Sequence, residues 1–396
     1  MAVKFADRME NLKASEIREL LKLTEKPEVI SFAGGLPAPE LFPVEEMKEV
    51  AIKVLEEGGK QALQYAATEG FIPLRKAIAN RMNTKFKTDV SYEDILITSG
   101  SQQGLDFSGK IFLNEGDVVL CESPSYLGAL NAFKAYGPKF IEVPTDENGM
   151  IMEELEKILD TTENVKMIYV IPDFQNPTGR TWPMERRKKF MEIINKYEVP
   201  VIEDNPYGEL RFEGEILPSL KAMDEKGLVI FLGSFSKIFC PGFRIGWVAA
   251  SKKILEKYIM IKQSADLQTS TIGQREVAKF MEIYDLDKHV EKIKAVYKKR
   301  RDLMLQTMKD EFPEGLKYTY PEGGLFTWVE LPENINAKDV MAKCLENNVA
   351  FVPGGSFFPN GGKENTFRLN YSNMTEERIV EGVKRLAKVL KEVLNK

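Results

Sequence analysis

Residues 231–247, FLGSFSKIFCPGFRIGW, gather the side chains best suited to covalent chemistry. A strand-forming run, Leu228 to Leu232, ends at Gly233, and Ser234, Ser236 and Lys237 follow at once. Pro241-Gly242 then returns the chain into Phe243-Arg244-Ile245-Gly246-Trp247. The pattern predicts a lysine at the tip of a sheet, with hydroxyls beside it and an arginine a short turn away. A lysine amine kept partly neutral by its surroundings forms a Schiff base with an aldehyde. Serine hydroxyls and an arginine fork hold a phosphate dianion through charge-assisted bonds. An aldehyde that also carries a phosphate is pyridoxal 5'-phosphate (PLP). The plainer reading is a buried strand followed by a solvated Lys and Arg.

The rest of the composition narrows the chemistry. One histidine, His289, lies in LDKHVEKIK, a charged helical pattern that predicts a solvated position. A single His excludes an H-E-x-x-H zinc site and speaks against a Ser-His-Asp triad. Cys121, Cys240 and Cys344 lie far apart and form no C-x-x-C pair, so neither a disulfide framework nor a metal site is expected. A reducing cytoplasm fits. The 396 residues, 43% hydrophobic and 29% charged, are enough for two or three domains around a sizeable core. A net charge of −5 gives no reason to expect nucleic acid or an anionic membrane as partner. No apolar run approaches the roughly 20 residues of a membrane span. The N-terminus, MAVKFADRMENLKASEIREL, is too charged for a signal peptide.

The elements that must position these residues follow from periodicity. Residues 1–25 predict a polar amphipathic helix, and residues 26–44 a Gly/Pro-rich extended segment. From about residue 45, helices such as MKEVAIKVLEE and FIPLRKAIANRMNTKF alternate with strands. The strand candidates are DILIT, VVLCE, FIEV, KMIYVIP, VPVIED, LVIFLGS and GWVAAS. Such alternation predicts an α/β fold with a mostly parallel sheet covered on both faces. A charged helical region over 273–310 leads to TWVELP and NTFRLNYS as strands and a final amphipathic helix. The expected division is a large α/β domain over 45–285 and a smaller α+β domain from 26–44 and 286–396.

Ligands of open parallel sheets sit beyond the carboxyl ends of the strands. Gly100-Ser101-Gln102 follows DILIT and opens a helix, whose free N–H groups attract phosphate. Gly104 to Lys110 also spells G-x-x-x-x-G-K, but Ile111 cannot supply the hydroxyl of a P-loop. Asp204 ends VPVIED, where a carboxylate would keep a pyridinium nitrogen protonated. Tyr207 and Asn176 could bond the ring oxygen, and Tyr126 could stack on the ring. Singly, each is equally a cap, a turn former or a core aromatic. Their order and strand-end placement make the set.

Spelled S-x-S-K-x-x-x-P-G-x-R-x-G, residues 234–246 resemble the cofactor-lysine signature of the class I aminotransferases, of PLP fold type I. The resemblance extends over SFAGGLPAPELFP (31–43), QYAATEG (64–70), TSGSQQGLD (98–106), PSY, NPTG, VIEDNPYGELRF (201–212) and FRLNYSN (367–373). It is closest to the 2-aminoadipate, kynurenine and aromatic amino-acid aminotransferases. It implies Lys237 as the Schiff-base lysine and Ser101, Gln102, Ser234, Ser236 and Arg244 around the phosphate. Asp204 would pair with the ring nitrogen, Tyr126 would stack, and Asn176 and Tyr207 would contact the ring oxygen. Arg368 would bind the substrate carboxylate, near Asn176 and Gly35. Tyr65 would reach the phosphate of a neighbouring subunit, which implies a homodimer. Arg18, after Ser15, matches a movable arginine for acidic side chains. Asp173 departs from the family, which usually has a neutral residue there.

The implied activity is ping-pong amino transfer between an L-amino acid and 2-oxoglutarate, with aromatic, 2-aminoadipate and branched-chain donors left open. A PLP-dependent β-lyase would need nearly the same residues. Ser234-Phe235-Ser236-Lys237 also spells the S-x-x-K of acyl-serine hydrolases, but the companion K-T-G is absent. A fused winged-helix regulator is disfavoured by the short N-terminal segment, so a free-standing enzyme is expected.

Overall fold

A computed structural model describes residues 3–9 and 26–394. In chain order its strands are β1 (Ile30–Ser31), β2 (Ile95–Thr98), β3 (Val118–Ser123), β4 (Lys139–Asp146), β5 (Gly149–Met150), β6 (Val165–Val170) and β7 (Val201–Asp204). They continue as β8 (Val229–Ser234), β9 (Gly246–Ala249), β10 (Lys317–Tyr318), β11 (Phe326–Glu330), β12 (Val349–Ala350), β13 (Val352–Pro353) and β14 (Thr366–Asn370). The seven strand candidates of the α/β region all appear, as β2, β3, β4, β6, β7, β8 and β9.

Eight strands form the main sheet, in the order β2-β9-β8-β7-β6-β3-β4-β5. Neighbours β8, β7, β6, β3 and β4 run parallel. β9 runs antiparallel to both its neighbours. The Pro-Gly turn dictates this: a short return can join only antiparallel strands, whereas a parallel pair needs a long crossover. β2, β7 and β8 are buried at every residue because helices cover both faces. On β3, Val119 and Cys121 join one apolar cluster, while Val118 and Leu120 join the other. Helices Met152–Thr161 and Met184–Tyr197 contribute Leu155 and Phe190 to the second face. Helices Ile72–Phe86 and Ser101–Phe112 contribute Leu74 and Leu105 to the first.

A third cluster holds Ile30, Phe32, Val349, Leu369 and Leu386. It packs an antiparallel sheet, β10-β11-β14-β13, and the parallel pair β1-β12 against the last helix, Glu376–Leu394. Pairing of Ile30 with Val349 ties the early segment to the C-terminal part. Helix Leu286–Glu311 begins in the first cluster with Leu286 and Val290 and ends in this one with Met304 and Met308.

Two expectations are corrected. The helical region over 273–310 is two helices, Thr271–Ile283 and Leu286–Glu311. The break falls at Asp285, whose side chain caps the second helix by accepting from the N–H groups of Asp287 (2.9 Å) and Lys288 (3.2 Å). His289 is buried rather than solvated. It stands three residues after Leu286 and four before Ile293, which puts it on the helix's apolar stripe despite charged neighbours. Its ring meets the edges of Phe239 and Phe280, and burial lowers its pKa. The helix expected over 1–25 lies mostly outside the described residues, as do Ser15 and Arg18.

Candidate active site

The carboxyl ends of the parallel strands open onto a cavity of about 380 Å³. Its wall includes Lys237 beyond β8, Asp204 at the end of β7, Ser101 beyond β2, Tyr126 beyond β3, Asn176 beyond β6 and Arg368 on β14. Gln102, Tyr207, Ser234, Ser236, Arg244 and Gly35 complete the predicted set on the same wall. Tyr65 does not line it; this side chain is 79% exposed on the surface.

Lys237 donates from Nζ to the Gly35 carbonyl at 2.7 Å. Removal from water, with Arg368 and Arg244 adding like charge, lowers its pKa to about 8. At one end of the cavity, Ser234 Oγ donates to Ser236 Oγ at 2.9 Å, and the Ser236 N–H donates to Ser234 Oγ at 3.1 Å. Arg244 Nη1 reaches Ser236 Oγ at 3.5 Å. Backbone sterics shape this cup. Gly100 has φ +77°, and a Cβ there would lie 2.4 Å from Arg244 Nη2. A Cβ on Gly246 would lie 2.6 Å from the Ser101 nitrogen. Helix Ser101–Phe112 starts at Gly100 without a side-chain cap, so its first N–H groups remain available for an anion. Gln102 turns its Nε2 to the Gly128 carbonyl at 2.9 Å.

Asp204 is buried, and burial pushes its carboxyl up to about 7. Its Oδ2 accepts from the Tyr169 hydroxyl at 2.9 Å, while Oδ1 is buried without a partner among the described residues. A ring N–H would satisfy that oxygen. Tyr207 is linked to Asn176 Nδ2 at 3.3 Å. Tyr126 packs over Gly128, where a Cβ would come within 2.4 Å of the phenol. Burial raises the pKa of both tyrosines.

Arg368 is buried, and no carboxylate among the described residues pairs with it. Nη1 donates to Asn176 Oδ1 (2.7 Å), Nη2 to the Ala33 carbonyl (2.6 Å), and Nε has no partner among the described residues. Its guanidinium lies 4.1 Å from the centre of the Phe326 ring and 5.2 Å from that of Phe357. Burial depresses its pKa to about 10. Such a site calls for an anion. A phosphate cup, an unsatisfied carboxylate oxygen and a lysine of lowered pKa on one wall fit PLP, and the buried arginine fits a substrate carboxylate.

Asp173, the departure noted in the sequence, has a partner. Arg187 Nη2 meets its Oδ1 at 2.6 Å, and Asn205 Nδ2 its Oδ2 at 3.2 Å. Sequence reasoning missed Tyr169, Phe326 and Phe357 around the site. Tyr169 was legible only as one aromatic in an apolar strand; its bond to Asp204 depends on strand pairing. The G-x-x-x-x-G-K decoy is wholly inside helix Ser101–Phe112, which leaves no loop to wrap a phosphate.

The model for "Aminotransferase class I and II" matches residues 27–386. The chain is 49% identical to aromatic-amino-acid aminotransferase 1 of Thermococcus litoralis, over 99% of this chain and 95% of that protein. It is 46% identical to 2-aminoadipate transaminase of Thermus thermophilus, over 97% and 95%. Among solved structures, kynurenine aminotransferase of Pyrococcus horikoshii, in complex with PMP, superposes with a TM-score of 0.95 at 44% identity, over 98% of this chain and 97% of that one.

Proposed function

Because the chain belongs to the aminotransferase class I and II family and is a PLP-dependent enzyme of fold type I, we propose that it moves an amino group between a broad-range L-amino acid and 2-oxoglutarate. The carrying observation is that Lys237, Asp204 and Arg368, from three distant parts of the chain, line one cavity.

Ser101, Gln102, Ser234, Ser236 and Arg244 would hold the PLP phosphate, Asp204 the ring nitrogen, Asn176 and Tyr207 the ring oxygen, and Tyr126 a ring face. When bound, PLP supplies an aldehyde within reach of an amine and a ring that draws electrons from the substrate's Cα bonds. Arg368 holds the substrate α-carboxylate, with Asn176 and the Gly35 backbone beside it. Lys237 Nζ would take a proton from the donor's Cα and pass it on within the first half-reaction, and would deliver one to the acceptor's Cα in the second. A pKa of about 8 makes that amine a usable base near neutral pH. Donor and acceptor use one site in turn, so the kinetics are ping-pong.

The named relatives act on aromatic amino acids, 2-aminoadipate and kynurenine, which sets the donors to try first. Arg18 and Ser15 would take part in side-chain recognition. The active unit is a homodimer in which Tyr65 of one subunit reaches the phosphate of the other. Exposure of Tyr65 and neighbouring Leu63, at 79% and 75%, supports that reading. The domain division at 45–285 against 26–44 with 286–396 rests on the separate apolar clusters. Three unpaired cysteines agree with a cytoplasmic location.

Purified protein mixed with PLP should gain visible absorbance, and borohydride should fix the cofactor on Lys237. A panel of amino donors with 2-oxoglutarate should then yield glutamate. Lys237→Ala should keep PLP affinity within an order of magnitude but lose transfer. Protein that stays colourless, or a variant that still turns over, would refute the assignment.

A further inference from the structure

Tyr169 stands one strand away from Asp204. In the β6–β7 register it faces Ile202, so Asp204, two residues on, shares its side of the sheet. Its hydroxyl has one hydrogen-bond partner among the described residues, Asp204 Oδ2 at 2.9 Å. Its ring is fully buried and held edge-on by Phe133 at 5.7 Å. The phenol can therefore neither swing away nor trade this acceptor for water. Asp204, which lines the cavity, accepts from no other described group, so Oδ1 is left without a partner among the described residues.

We infer that Tyr169 is a positioning residue for the cofactor, whose hydroxyl fixes Asp204 Oδ2 and so dedicates Oδ1 to the ring nitrogen. The inference rests on Asp204 being the partner of that nitrogen. A carboxylate with one oxygen pinned has one orientation left, and its second oxygen need not choose between acceptor roles. Tyrosine suits the task because it donates without adding charge. Burial and the nearby carboxylate raise its pKa well above the ordinary value, so it keeps its proton. A neutral donor also favours the ionised carboxylate against the burial that opposes it. Tyr126 and Tyr207 face Asp204 from beyond β3 and β7, and burial raises both, so neither titrates near neutral pH. Lys237 lines the same cavity and titrates near 8.

The test measures PLP affinity of the cofactor-free protein from pH 5.5 to 8.5, with Tyr169→Phe, Asp204→Asn and the double variant in parallel. Tyr169→Phe keeps the ring and removes only the donor. Its acid limb of binding should move up by about one pH unit, with PLP bound about tenfold more weakly at pH 6. In the holoenzyme its kcat should fall with KM unchanged. Asp204→Asn should weaken binding at every pH, and adding Tyr169→Phe to it should change nothing further. An unmoved midpoint in Tyr169→Phe, or an equal loss in the Asp204→Asn background, overturns the inference while Asp204 keeps its role. Wild-type binding by Asp204→Asn overturns the role of Asp204 itself.

Discussion

In the cofactor-free protein, the Asp204 carboxyl titrates near 7, against an ordinary value of 3.8, because it is buried. The folded state thus binds this proton more tightly than the unfolded chain. Its contribution to stability is full below about pH 4 and is lost as pH rises through 7. Cofactor-free Asp204→Asn is therefore expected to be more stable than wild type at pH 8, by up to roughly 4 kcal/mol. The gap should narrow toward pH 4, as read by denaturant unfolding at each pH. A gap independent of pH would show that the carboxyl is ionised throughout. Arg368 gives a second test. Its guanidinium spans Asn176 Oδ1 and the Ala33 carbonyl while stacked on Phe326. A lysine offers neither the fork nor the flat face. Arg368→Lys should lower kcat/KM by about 100-fold, a loss of roughly 2.7 kcal/mol, with PLP affinity unchanged. Equal kcat/KM would remove Arg368 from carboxylate recognition.

Each turn that follows a strand delivers its residue only because its backbone permits a close approach. At Gly100 the φ of +77° and the nearness of Arg244 Nη2 both exclude a side chain. Gly100→Ala should cost about 1–3 kcal/mol in backbone strain and displace Arg244, weakening PLP binding about tenfold, a further 1.4 kcal/mol. Titration of the variant with PLP checks it, and wild-type affinity would show that Arg244 is not needed for the phosphate. The Asn176 turn is braced differently. Fully buried Arg187, on helix Met184–Tyr197, donates to Asp173 and to the carbonyls of Pro172, Trp182 and Pro218. Arg187→Met would strand the Asp173 carboxylate and should destabilise the fold by about 3–5 kcal/mol. Adding Asp173→Asn should restore much of that loss in thermal or denaturant unfolding; no recovery would mean the pair is not the source.

At the scale of the molecule, the site joins parts that are remote in sequence. Gly35 comes from the early segment, Lys237 from the main sheet and Arg368 from the C-terminal sheet. Arg244, by contrast, lies exposed at the cavity rim, and Tyr65 is exposed and does not line its own chain's cavity. If a second subunit supplies Tyr65, two inactive variants can complement. Mixing Lys237→Ala with Tyr65→Ala subunits should yield hybrid dimers in which one site has both native residues. Activity should recover to as much as about half a native site's share per subunit. No recovery, together with a mass of 45.0 kDa by light scattering, would exclude the shared site.

Local patterns in the chain were enough for the alternating strands, the lysine at a sheet tip and the residues that line the cavity beyond the strand ends. Period and turn chemistry are properties of contiguous residues, and Pro241-Gly242 or Gly100-Ser101 can be read in place. The break at Asp285 and the burial of His289 were missed because neighbouring charges masked a cap and an apolar stripe. The pairing of Tyr169 with Asp204, the Arg187–Asp173 bridge and the aromatic bed under Arg368 were decided only in three dimensions. Each depends on packing between separate elements, with the partners more than ten residues apart, and no local pattern carries that information.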